Sequence, residues 1–151
     1  MAHEFKFIRI VEFAETDMAG IMHFSNFFRL MEETEHAFFR SLKISVHQEI
    51  DNQLIGWPRV NAACEYSHPL KFEDKVEIHL LVNDIRRKSI TYQYQFRKVD
   101  DDDIIDVARG EITTICVQLN VKNGDMESIA IPSQILDKID SAPSEMLKKQ
   151  D

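Results

Sequence analysis

The sequence is short of paired cysteines, long apolar runs and positive charge, and each shortage excludes a class of protein. Cys64 and Cys116 lie far apart without the paired spacing of a zinc site, so two buried free thiols are expected. No segment approaches the roughly 18 apolar residues of a membrane helix, and no signal peptide is visible at the N-terminus. We therefore predict a cytoplasmic protein without a membrane span.

The charge and the apolar content further limit the kinds of protein that this sequence can encode. With 26 acidic and 18 basic residues the formal net charge is −8, so general binding to nucleic acid is not expected. A hydrophobic fraction of 44% and ten Phe residues suffice for a buried core in a chain of 151 residues. Because neither a repeat nor a linker interrupts the chain, we predict one domain, 1–151, with its core at about 5–120.

The first third of the chain contains one amphipathic helix. Residues 4–13 alternate between polar and apolar and predict a strand, and 14–24 form a loop. Apolar residues then recur at three- and four-residue steps, which predicts a helix at about 25–42. Its acids lie off the apolar stripe, so a solvated or dimer-facing position is expected for Glu32, Glu33 and Glu35.

Beyond the helix the pattern is typical of strands. A short helix is predicted at 46–51, followed by strands at 59–67, 75–82, 88–98 and 104–119. The acidic run 100–103 is interpreted as a solvated hairpin tip, and Gly110 indicates a bulge or a close approach. Pro132 leads into a C-terminal helix through about Ile139, and a frayed polar tail of about a dozen residues is expected after it.

This order of elements predicts an α+β fold, with a mostly antiparallel five-stranded sheet and one long helix. One helix can cover only one side of such a sheet, so the other face or an edge remains free. We therefore expect a dimer.

Asp17 is the candidate catalytic residue. It lies in a loop that turns at Gly20 and leads directly into the helix, where unpaired backbone N–H groups carry the positive end of the helix dipole. A carboxylate can act as a nucleophile or a general base, and such N–H groups can bind a developing oxyanion. The alternative is ordinary turn chemistry, since Asp followed by Gly before a helix commonly serves only the turn.

The chain resembles the hotdog-fold acyl-CoA thioesterases, in particular the 4-hydroxybenzoyl-CoA thioesterase-like group. The resemblance extends over roughly residues 5–120. It is carried by Val11-Glu12-Phe13, by Glu15-Thr16-Asp17-Met18-Ala19-Gly20-Ile21-Met22-His23-Phe24-Ser25-Asn26-Phe27-Phe28, and by Pro58, Pro69, 72–76 and 86–90. It implies a hotdog fold, in which the five-stranded sheet wraps around the long helix.

The resemblance also implies roles for single residues. Asp17 matches the carboxylate that attacks the thioester or activates water, Phe24 matches the residue whose backbone N–H polarises the thioester oxygen, and Gly20 matches the glycine that lets the loop approach the substrate. A basic stretch that contacts coenzyme A in some members is matched by Arg86, Arg87, Lys88 and Ser89. A solvated hairpin turn is the alternative for this stretch.

The implied reaction is hydrolysis of an aromatic or short-chain acyl-CoA thioester at the interface of a homodimer or homotetramer. No cofactor is expected, because coenzyme A is part of the substrate, and no metal is expected, because a thiolate leaves readily without one. A non-catalytic acyl- or CoA-binding hotdog module is the alternative, and Asp17 distinguishes the two because a binding module needs no such carboxylate. A hotdog hydratase or dehydratase is disfavoured, since its His-and-acid motif is not seen.

Several residues depart from the family pattern or allow a second interpretation. Glu15 stands where Asp is commoner. His23 replaces an aromatic or aliphatic residue and is a candidate for substrate binding, for tuning the protonation of the acid, or for the pocket wall. Asn26 is a candidate for substrate binding or for a helix cap. The three acids of the helix are rivals to Asp17, because another hotdog branch uses a helix carboxylate as its catalyst.

Overall fold

The computed structural model describes residues 1–147, which form nine strands and two α-helices. In chain order these are β1 (Glu4–Ile10), α1 (Asn26–Ser41), β2 (Gln48–Ile50), β3 (Gln53–Gly56), β4 (Arg59–Tyr66), β5 (Lys75–Ile85), β6 (Ser89–Val99), β7 (Ile104–Ile115), β8 (Val117–Leu119), β9 (Met126–Ser128) and α2 (Ser133–Leu136). A 3-10 turn, Phe13–Glu15, follows β1.

The five long strands form one antiparallel sheet in the order β1-β5-β6-β7-β4. Helix α1 packs against this sheet, and the core lies between the two. Tyr92, Tyr94 and Phe96 on β6 face Phe27 and Phe38 on α1, and all five side chains are at most 3% exposed. The predicted α+β architecture, one long helix on a five-stranded antiparallel sheet, is therefore confirmed.

One side of α1 is buried over a wider arc than the sequence predicted. The buried positions of the helix are Phe27, Leu30, Met31, Thr34, Glu35, Phe38 and Phe39. The expectation that Glu35 is solvated or dimer-facing is wrong, since it is only 1% exposed. It lies next to Thr34 on the side that faces β4, and a sheet that wraps around the helix covers this position as well.

The predicted short helix at 46–51 is wrong, because this segment forms the β2–β3 hairpin. Asp51 and Asn52 have φ angles of 52° and 64°, and this pair of positive φ values is that of a two-residue type I′ turn. Strand β3 continues the pairing with β8, and β8 with β9, to form a second, four-stranded sheet.

The predicted strand at 104–119 is divided in two at Cys116. Its first part, β7, belongs to the five-stranded sheet, and its second part, β8, belongs to the smaller one. Gly110 on β7 marks a close approach, because a Cβ atom built there would lie 2.5 Å from the sulfur of Met31. Both cysteines are free thiols as expected; Cys116 is buried and Cys64 is half-buried.

Two turns and the C-terminal segment complete the domain. The acidic run 100–103 joins β6 to β7 as an exposed hairpin tip, as predicted. The frayed tail was expected from about residue 140, whereas Ala142 is buried and its N–H donates to Val82 O. The last part of that tail, 148–151, lies outside the described residues. None of the described helices is long and apolar enough to cross a membrane.

Candidate active site

The loop before α1 is a tight hairpin that presents Asp17 at its tip. Thr16 and Met22 form an antiparallel bridge, and inside it the N–H of Asp17 donates to Ile21 O at 2.9 Å. The N–H of Gly20 donates to Asp17 O at 2.9 Å, and Gly20 has a φ of +78°. Because residues with a side chain rarely adopt this backbone conformation, the glycine permits the turn.

One oxygen of the Asp17 carboxylate is held by the turn itself. Its Oδ1 accepts a hydrogen bond of 2.8 Å from the N–H of Ala19. Within residues 1–147 no protein group bonds Oδ2, and the residue is exposed. The turn therefore orients the carboxylate and leaves one oxygen available for a substrate or a water molecule.

Glu15 connects the loop to β1 and, through Arg9, to α1. Its Oε1 accepts from the N–H of Glu12 at 2.8 Å and from Nη2 of Arg9 at 2.9 Å. The Nη1 atom of Arg9 bonds Glu33 on α1 at 2.5 Å. The acid that departs from the family pattern thus fixes the position of the loop relative to the helix, and Glu33 takes part in this network.

The backbone carbonyl of Glu15 accepts two further bonds from the start of α1. These come from the N–H of His23 and from Nδ2 of Asn26, both at 2.8 Å. Asn26 is therefore not a side-chain cap of the helix, and the N-cap residue, Ser25, makes no side-chain cap bond either. Instead, Ser25 Oγ lies 2.7 Å from Nδ1 of His23. The His23 ring packs on Phe24, with the ring centroids 4.6 Å apart.

The backbone of Phe24 has a satisfied carbonyl and a free amide. Its carbonyl accepts from the hydroxyl of Tyr66 at 3.0 Å and from the N–H of Phe27 at 3.3 Å. In the part of the chain that the structure describes, no acceptor bonds the N–H of Phe24. The first turn of α1 contains no acidic residue, so the positive end of its dipole is not compensated by a local carboxylate.

Asp17 and Phe24 border the same cleft, which has a volume of about 480 Å³. Its floor is apolar, since Met22, Phe27 and Leu70 are 1–3% exposed. The complete lining consists of Asp17, Ile21, Met22, Phe24, Phe27, Tyr66, Ser67, His68, Pro69 and Leu70. Gly20, His23 and Asn26 are not part of this lining, so these three candidates shape the loop around the cleft.

The segment 66–70 supplies half of the lining, and sequence reasoning did not assign it to the site. The pattern of residues 59–67 predicted a strand that ends at residue 67, and Pro69 matched the family, but neither observation indicated a site. The fold brings the segment to the loop because the N–H of Met22 donates to Leu70 O at 2.7 Å. A contact between positions almost 50 residues apart leaves no periodicity in a sequence.

The basic stretch lies far from this cleft within the chain. Arg86, Arg87 and Lys88 form the turn between β5 and β6, where the N–H of Arg86 donates to Ser89 O at 2.8 Å. Tyr66 of the cleft, on β4, is aligned with Ile78 on β5 through the register of the two strands between them, β7 and β6. The eight residues of strand from Ile78 to Arg86 span roughly 25 Å. The structure therefore does not bring the two groups of predicted site residues together in one chain.

Comparison with known proteins identifies the family and supports the fold. Residues 11–149 match the model of the thioesterase-like superfamily. A crystal structure of an Aquifex aeolicus protein is 34% identical, has a TM-score of 0.76, and aligns over 88% of this chain and 97% of that one. The 1,4-dihydroxy-2-naphthoyl-CoA hydrolase of Prochlorococcus marinus is 33% identical over 97 residues, which are 60% of this chain and 63% of that protein.

A third comparison tests the fold. The 4-hydroxybenzoyl-CoA thioesterase of Pseudomonas sp. strain CBS-3 aligns with a TM-score of 0.76 over 90% of this chain and 99% of that one, at 16% identity. The family match, the named relatives and the fold together define a thioester hydrolase of the hotdog class. The chain belongs to the thioesterase-like superfamily.

Proposed function

We propose that this protein hydrolyses an aromatic or short-chain acyl-CoA thioester to the free acid and coenzyme A. The observation that carries the proposal is the pairing of a free carboxylate oxygen on Asp17 with a free backbone N–H on Phe24, at the border of one apolar cleft. Attack on a thioester carbonyl requires two groups. One is a carboxylate that acts as nucleophile or general base, and the other is an amide that donates to the carbonyl oxygen.

The reaction follows from these two groups. The acyl group lies on the apolar floor of the cleft, and the N–H of Phe24 donates to the thioester oxygen. Asp17 either attacks the carbonyl carbon or removes a proton from a water molecule that attacks it. Negative charge develops on the carbonyl oxygen, where a prepositioned donor stabilises the transition state. The C–S bond then breaks, and coenzyme A leaves as a thiolate that takes up a proton. Where water attacks, this step yields the free acid; where Asp17 attacks, a mixed anhydride remains on Asp17, and its hydrolysis by water releases the acid and restores the carboxylate.

The substrate class is supported by the shape of the cleft and by the relatives. Its floor of Met22, Phe27 and Leu70 is suited to an apolar ring or a short chain. Aryl-CoA thioesters are the substrates named for the relatives from Prochlorococcus marinus and Pseudomonas. We extend this class to the present chain as part of the proposal.

This function is tested by the release of free thiol from a panel of benzoyl-type and short-chain acyl-CoA esters. We expect turnover of at least one ester, detected with a thiol-reactive dye. Binding of the esters without release of thiol would contradict the proposal and would favour the non-catalytic binding module.

We further propose that two copies pair through β4. This strand is an edge of the five-stranded sheet, bonded to β7 on one side only. Its apolar residues Val60 and Tyr66 are 56% and 46% exposed in one protomer. Unpaired, partly apolar edges are places where strands of a second chain add. Since the Arg86–Ser89 turn is remote from Asp17 of the same chain, a neighbouring copy would supply the basic residues for the coenzyme A phosphates.

Val60→Lys tests this pairing. We expect the wild-type protein to have two or four times the mass of one chain. In the variant, the dissociation constant of the pair formed through β4 is expected to rise by about 100-fold or more. The reason is that two lysines enter one interface, and a juxtaposition of like charges costs several kcal/mol. Analytical ultracentrifugation over a range of concentrations measures the change.

Val121→Lys is the matched control, since Val121 is 85% exposed and lies outside the named strands. Equal dissociation constants for the two variants would contradict an interface at β4.

A further inference from the structure

The hydrogen bonding of His68 fixes which of its ring nitrogens is open. Nδ1 lies 2.8 Å from Pro69 O, and a carbonyl oxygen can only accept. Nδ1 therefore carries a proton, and in the neutral imidazole Nε2 is left as an acceptor. Among residues 1–147 no group bonds Nε2, and His68 is part of the lining of the cleft.

The other polar side chains that segment 66–70 contributes to the cleft are already engaged. The hydroxyl of Tyr66 donates to Phe24 O at 3.0 Å. The hydroxyl of Ser67 lies 3.0 Å from Val107 O, to which it donates. Both hydroxyls have therefore given their protons to backbone carbonyls and cannot donate to a bound molecule. Among the cleft side chains of residues 1–147, Nε2 of His68 and Oδ2 of Asp17 are the acceptor atoms that form no hydrogen bond within the chain. Since Asp17 is required at the thioester, His68 is available for another part of the substrate.

We infer that His68 determines the acyl specificity of this enzyme: its Nε2 accepts a hydrogen bond from a hydroxyl group on an aromatic acyl substrate. The inference rests on the proposed function and deepens it. An aromatic ring that fills the apolar floor also brings its substituents out of water. A hydroxyl group buried there without a partner is unfavourable, whereas a neutral acceptor on the wall compensates for the lost water.

The experiment measures kcat/KM for benzoyl-CoA and for 2-, 3- and 4-hydroxybenzoyl-CoA. In the wild-type enzyme we expect at least one hydroxylated ester to exceed benzoyl-CoA. In His68→Phe, which keeps a ring but removes the acceptor, this preference falls by about two- to tenfold, the range for one neutral hydrogen bond. His68→Gln, whose amide oxygen can accept, retains part of the preference. The quantity compared among variants is the ratio of kcat/KM for a hydroxylated ester to kcat/KM for benzoyl-CoA. The intrinsic reactivity of each ester is the same for every variant and therefore cancels in this comparison.

His47→Phe is the matched control, because His47 is exposed and lies outside the cleft. It is expected to keep the wild-type preference, and thermal unfolding of each variant verifies that it folds. An equal fall for all four esters in His68→Phe would overturn the inference, because it would mean that His68 contacts the pantetheine amides common to all of them. A wild-type enzyme without preference would also overturn it. If the wild-type enzyme hydrolyses no ester at all, the proposed function itself fails.

Discussion

Asp17→Asn is expected to lower kcat for acyl-CoA hydrolysis by about 10²- to 10⁴-fold, the range for loss of a positioned acid–base group. The amide cannot remove a proton and is a poor nucleophile. Its oxygen can still accept the bond that Asp17 Oδ1 receives from the N–H of Ala19, so the turn and the free energy of unfolding are expected to change little. Stopped-flow or steady-state release of thiol measures kcat, and KM is expected to change much less.

The matched control is Asp101→Asn, which makes the same chemical change at the exposed hairpin tip. It should retain full activity. Full activity in Asp17→Asn would show that another group performs the attack. The helix acids would then be examined next, beginning with Glu32, which is 55% exposed and forms no direct bond to the loop.

Glu35→Ala is expected to lower the free energy of unfolding by about 3–5 kcal/mol, the cost of breaking a buried ion pair by removing one partner. Both carboxylate oxygens of Glu35 bond the guanidinium of Arg59, at 2.9 and 3.0 Å. Burial raises the pKa of Glu35, and Arg59 opposes this rise. The truncation leaves a cavity beside Tyr92 and Tyr94 and removes the carboxylate that bonds both guanidinium nitrogens of Arg59, so that Arg59 keeps the longer, more exposed contact with Glu32 at 3.8 Å. Denaturation by urea, followed by circular dichroism, gives the free energy.

Glu32→Ala is the matched control on the same helix: Glu32 Oε1 also lies 3.8 Å from Nη2 of Arg59, but the side chain is 55% exposed, so we expect a loss of at most about 1 kcal/mol, as for a surface ion pair. The double variant Glu35→Leu with Arg59→Met is expected to recover most of the stability, since apolar side chains of similar size often replace a buried ion pair without loss. If Glu35→Ala is no more destabilising than Glu32→Ala, the pair contributes nothing to the fold.

The elements that the sequence predicted correctly are those with a long, regular pattern. The three- and four-residue steps of α1 and the alternation of β6 each extend over more than ten residues, so each buried face repeats several times. The β2–β3 hairpin was missed because strands of three and four residues are too short for a period to be read. Glu35 was expected in solvent or at a dimer interface because a helix pattern does not reveal how far a sheet will wrap around it.

The residues of the candidate site also fall into two groups, those that a local motif identified and those that only the fold brings together. Asp17, Gly20 and Phe24 lie within eight consecutive residues, and a local motif was enough to identify them as candidates. His68 and Leu70 meet that motif only through the fold, because the order of strands in the sheet decides which distant loop lies beside the Asp17 turn. Conversely, the resemblance assigned the basic turn at Arg86 to the same site, with a solvated turn as the alternative, and the length of β5 separates the turn from Asp17 within one chain.

By itself, then, the sequence determined the helix, the long strands and the local turn that presents a carboxylate before a helix, because these depend on contacts between near neighbours. Only the tertiary structure decided that the N–H of Phe24 is left free, that Glu35 is buried against Arg59, and that His68 adds an open acceptor to the wall of the cleft. Each of these depends on groups brought together from distant parts of the chain, and therefore on the packing of the sheet around α1.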